Sequence, residues 1–76
     1  MTAMISTIYT LSGITSNDDV LAVRMSVSNV QDVGAVAFER LSGDETRMII
    51  KHKDDVEIDK AALAKAVKDA GQYGLS

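Results

Sequence analysis

Two hydrophobic periods alternate along this chain. From Met4 to Ser12, the residues Ile5, Thr7, Tyr9 and Leu11 alternate with Ser6, Ile8, Thr10 and Ser12, the two-residue repeat of a strand with Tyr9 and Leu11 on its core side. Val20, Val23, Val27 and Val30 then recur at intervals of three and four, so the spacing predicts a helix within residues 16–30 carrying one apolar stripe. Valine lowers intrinsic helix propensity, which makes this helix depend on tertiary packing. Alternation returns over residues 33–41 and 46–53, and Ser42-Gly43-Asp44-Glu45 between them has turn chemistry. On the second of these strands Met48, Ile50 and His52 share one face, and Arg47, Ile49, Lys51 and Lys53 the other. A second helix is predicted over residues 59–70. Asp59 is its N-cap, Ile58 can pack on Leu63, and Ala62, Leu63, Ala66, Val67 and Ala70 form its buried stripe. Gly71 ends it, and residues 72–75 supply a short last strand.

The order is βαββαβ, two βαβ halves joined by a hairpin. Right-handed crossovers lay both helices on one face of a four-stranded antiparallel sheet, in strand order 4-1-3-2. The fold class is therefore α+β, a ferredoxin-like sandwich, and residues 1–76 make one domain.

The corner between the first strand and first helix is the most specific stretch, Gly13-Ile14-Thr15-Ser16-Asn17-Asp18-Asp19-Val20. Gly13 allows the positive φ that such a corner often needs. Ser16 can cap the helix, and Asp19 can reach back to the Ser16 amide, a short-chain version of the capping box. Asn17, Asp18 and Asp19 set polar and acidic groups against the positive end of the helix dipole.

Laid out this way, the chain resembles the heavy-metal-associated (HMA) domain family of copper chaperones and metal-ATPase N-terminal domains. That family carries G-M-T-C-x-x-C after its first strand, and the matching run here is Gly13-Ile14-Thr15-Ser16-x-x-Asp19. The valine-patterned helix follows, then Asp32-Val33 and Val36. Asp69-Ala70-Gly71-Gln72-Tyr73 is similar to the family's A-G-Y ending with one residue inserted. The resemblance runs from Tyr9 onward, and it implies the fold derived above together with a metal site at Ser16 and Asp19. Both family cysteines are absent from those positions. Soft ions such as Cu(I) and Hg(II) prefer soft sulfur, so a hydroxyl and a carboxylate do not replace the thiolate pair.

Composition narrows the functional classes. The 76 residues contain no cysteine, which removes disulfides and thiolate sites. A formal charge of −3, no basic cluster and only three aromatics argue against nucleic acid. With no basic n-region or long apolar run, neither a leader nor a membrane span is expected, and a cytoplasmic setting is the default expectation.

Ser16 and Asp19, with Thr15 and Asp18, are candidate oxygen ligands for a hard cation, against the plainer role of a helix cap. His52, the single histidine, reads as an imidazole at the edge of the core. Met1, Met4, Met25 and Met48 offer thioethers, although Met25 and Met48 are expected to fill the core or its rim. No nucleophile–base or paired-carboxylate spacing points to an enzyme. The open face of the sheet should carry Ile8, Ala35, Ala37 and Ile49, rimmed by Thr10 and Lys51, and an apolar patch on a small domain marks a contact surface. The expected function is a protein-interaction module that has lost the thiolate site. It would act through this face on a second copy or a partner protein, with no cofactor. The alternative is metal-ion binding, weakly, through non-cysteine ligands or a shared site.

Overall fold

The structure, a computed structural model, describes residues 3–75. Its elements are β1 (Met4–Ser12), α1 (Asn17–Val27), β2 (Ala35–Arg40), β3 (Thr46–Lys53), α2 (Lys60–Ala70) and β4 (Gly74–Leu75). The strands form one antiparallel sheet in the order β2-β3-β1-β4. This is the ferredoxin-like α+β arrangement that the two periods predict.

The register explains which side chains meet. Leu11 lies opposite Thr46, Tyr9 opposite Met48, and Thr7 opposite Ile50. These positions share the helix side with Val36 and Phe38 of β2. Leu11, Met48 and Ile50 pack with Val23 and Val27 of α1 and Leu63, Ala66 and Val67 of α2 into one core. The helices are tied to each other by the Ser26 hydroxyl, which donates to the Ala66 carbonyl at 2.6 Å. Arg24 lies 5.4 Å from the Phe38 ring centroid, a cation–π contact joining α1 to β2.

Several boundaries differ from expectation. The first helix stops at Val27, not Val30. Beyond it, Asn29 N–H bonds to Ser26 O and Val30 N–H to Val27 O, while the Asn29 side chain donates to Met25 O. Ser28 and Asn29 thus tighten the chain into turns where the valine period alone would continue the helix. Val30 still packs against the core. The second strand runs over Ala35–Arg40 and not 33–41, and the last has two residues rather than four. Asp32, at φ 71°, occupies the left-handed region and turns the chain before β2 starts. Met25 is 72 % exposed, so it is not core filler, because it lies on the outer side of α1. Met48 is fully buried as expected. Met1 lies outside the described residues.

Candidate functional site

The corner after β1 is built by three segments distant in sequence. Gly13 has φ 87°, and a Cβ there would stand 2.9 Å from the Gln72 carbonyl, so glycine is needed twice over. Its amide donates to the Asp44 carboxylate at 2.9 Å, and the Ile14 amide donates to the Asp44 carbonyl at 3.1 Å. The β2–β3 turn thereby grips the corner, and Ile14 is driven fully into the core.

Ser16 and Asp19 are brought together, as the reciprocal capping box of α1. The Asp19 amide donates to Ser16 Oγ at 3.3 Å, and the Ser16 amide donates to Asp19 Oδ2 at 3.2 Å. The same Oδ2 accepts from the Thr15 amide at 2.9 Å and the Thr15 hydroxyl at 3.1 Å. Oδ1 accepts from the Tyr73 phenol at 2.6 Å. These donors, Tyr73 first, hold the Asp19 carboxyl down at about 2, and the carboxylate in turn raises the Tyr73 phenol above its ordinary value. A Cβ on Gly71 would meet the Tyr73 ring at 2.7 Å, so glycine there leaves room for the ring.

This donor set does not suit the soft metal that the family resemblance implies. It contains one hydroxyl and one carboxylate, both oxygens of which already accept from protein donors, and no sulfur. Thr15 spends its hydroxyl on Asp19. Among the described residues no three of His, Asp or Glu converge as metal ligands.

His52 is 4 % exposed. Its Nδ1 lies 2.9 Å from the Lys53 carbonyl and its Nε2 2.7 Å from the Thr7 hydroxyl. A carbonyl only accepts, so Nδ1 donates to Lys53, and in the neutral imidazole Nε2 accepts from Thr7. The imidazole is thus held by two bonds at the rim of a cleft of about 330 Å³ between β1 and the segment leading to α2.

The opposite face of the sheet is not covered by the helices. Ile8 pairs directly with Ile49, and Ile49 with Ala37, giving one apolar row across three strands. Ile8 is 58 % exposed, Ala37 exposed and Ile49 half-buried. Ala35 lies one row away, opposite Lys51, which in turn pairs with Ser6. On the other flank Thr10 pairs with Arg47, and Arg47 forms an ion pair with Glu39 at 3.0 Å. All four residues expected on this face therefore lie there.

Sequence reasoning missed Asp44 and Tyr73 as parts of the corner, and it placed Ile14 there without its burial in the core. The signals for Asp44 and for the burial of Ile14 were faint: an acid in a turn, and an aliphatic residue between glycine and threonine. Tyr73 was visible only through the similarity of the chain's ending to a family pattern. No protein-family model, curated protein or solved structure matches this chain.

Proposed function

We propose that this protein is an interaction module of the heavy-metal-associated type that has lost its thiolate site and binds a partner protein through the uncovered face of its sheet. The observation that carries this reading is the Ile8–Ile49–Ala37 row, set at the centre of a face that no helix shields. Fully burying each isoleucine contributes about 1.5–3 kcal/mol before the costs of association.

The charges around the row say what kind of partner fits. Arg47, Lys51 and Lys53 of β3 point to this side, against one carboxylate among the described strand residues, Glu39, which Arg47 already pairs. The chain as a whole carries −3, so this face is positive on an acidic protein. An apolar surface flanked by carboxylates complements it, whereas two such faces would repel. The Ser16–Asp19 corner supports the same reading, since its polar atoms serve the helix cap.

A designed amphipathic peptide, with leucines along one helical face and glutamates beside them, tests the proposal. It is expected to bind the wild type and to lose at least tenfold in affinity to Ile49→Lys, while a lysine-flanked version binds neither. Equal binding of wild type and Ile49→Lys would contradict the assignment. In calorimetry at neutral pH, Zn(II) and Cu(I) are expected to show no stoichiometric binding near nanomolar Kd, roughly −12 kcal/mol. A nanomolar isotherm would restore the metal-binding alternative.

A further inference from the structure

The two edges of the sheet are guarded very differently. At one edge β2 carries Glu39 and Arg40. At the other, β4 pairs only with Leu11 and Ser12, leaving most of the nine-residue β1 as the outer strand. Apart from its ladder with β3, the backbone of Ser6–Tyr9 makes no hydrogen bond to the described residues. Met4–Tyr9 reads Met-Ile-Ser-Thr-Ile-Tyr, with no charge, proline or glycine. Natural sheets blunt open edges with such residues, and a bare β-prone edge is a template for another strand.

The same short segment holds Met4 at 53 %, Ile5 at 45 % and Ile8 at 58 % exposure, three of the five exposed large hydrophobic residues among those described. Apolar side chains clustered on an unpaired edge have a common explanation: the edge is covered by another strand.

We infer that β1 pairs antiparallel with β1 of a second copy, joining the two sheets edge to edge around a two-fold axis perpendicular to them. Directly opposed residues in such a ladder share a face, so the axis passes beside a single residue, Ser6 or Thr7. Ser6 is the better centre. That register sets Met4 against Ile8 of the second copy twice over, on the open face, and Ile5 against Thr7 of the second copy on the helix side. It also leaves Leu11 and Ser12 to β4. On the helix side, Ile5, Thr7 and Tyr9 line the cleft of about 330 Å³, which gives the second copy's Ile5 a place to sit.

The missing charges favour a second copy over a foreign strand. In an isologous pair a residue at the axis meets itself, so any charge there would repel its own image, and Met4–Tyr9 has none. The edge is a different surface from the face assigned to partner binding, and each is tested separately. The pair would extend the Ile49–Ile8 row toward Met4 of the second copy and present two partner-binding faces side by side.

Sedimentation equilibrium of the full chain from micromolar to millimolar concentration should show the mass rise from 8.1 kDa to twice that value. Ser6→Lys and Ser6→Asp, each checked as folded by circular dichroism, should stay monomeric alone and form a heterodimer when mixed. Ile49→Lys should dimerise like the wild type. In the cysteine-free background, Ser6→Cys should oxidise readily to a covalent dimer, because residues facing across an antiparallel axis have Cα atoms about 4.5–5.5 Å apart, within disulfide reach. Ser42→Cys, in the β2–β3 turn, should not. A wild type that is monomeric throughout would overturn the inference, as would a dimer indifferent to both Ser6 charges. Self-association lost in Ile49→Lys but kept in Ser6→Lys would place the contact on the open face instead. Should the charged variants fail to fold, equal cross-linking at Ser6 and Ser42 would still refute edge pairing.

Discussion

Asp19 links three parts of the chain through one carboxylate, and its behaviour with pH follows from that. Its folded-state value near 2 lies below the unfolded value of about 3.9, so the stability it contributes is complete above roughly pH 4 and is lost as pH falls toward 2. Tyr73 has the opposite sign. Its raised phenol contributes fully below about pH 10, and that contribution is lost as pH rises through the raised value. Tyr73→Phe removes the leading cause of the Asp19 shift. Urea melts of this variant should show a shallower loss of stability between pH 4 and 2 than the wild type, and carbon NMR should place its Asp19 carboxyl higher. An unchanged Asp19 titration would show that the phenol does not hold the carboxylate. The Ser16–Asp19 exchange was legible in sequence because capping is local, with the partners three positions apart. The Tyr73 bond spans 54 residues and depends on β4 docking beside β1, which no local pattern reports.

At the scale of elements, the strands and helices were legible as periods of two and of three to four, and their ends were not. Four valines at helical spacing do not distinguish Val27 from Val30, because both still face the core after the chain has tightened into turns. Start signals were more informative than stop signals. Ser16 caps α1 and Asp59 caps α2, whose carboxylate accepts from the Ala61 amide at 2.9 Å. Ser16→Ala should cost about 1 kcal/mol, a drop of roughly 4–8 °C in Tm for a domain of this size. Thermal melts with and without chelator should give the same drop, since the hydroxyl serves the helix. A loss seen only without chelator would make Ser16 a ligand. Met25 shows the opposite limit: a helical methionine is core filler only on the buried stripe, and this one sits off it.

For the whole molecule, strand order and parity in the sequence together place Ile8, Ala35, Ala37 and Ile49 on one uncovered face. Parity is robust because a one-residue slip would have exposed the core set Leu11, Met48 and Ile50. The free edge of β1 was less legible. A four-residue final strand was expected, and the two residues observed leave the middle of β1 without a neighbour on that side among the described residues. The molecule thus carries a positive apolar face, which we propose meets a partner, and a neutral apolar edge, which we propose meets its own copy, while its loop motif is occupied with capping the first helix. Mapping amide chemical shifts in a titration with the glutamate-flanked peptide tests this division most directly. The account predicts perturbations centred on Ile8, Ala37, Ile49 and Lys51, with Thr15–Asp19 unmoved. A map centred on Thr15–Asp19, or one with no focus on the sheet, would contradict it.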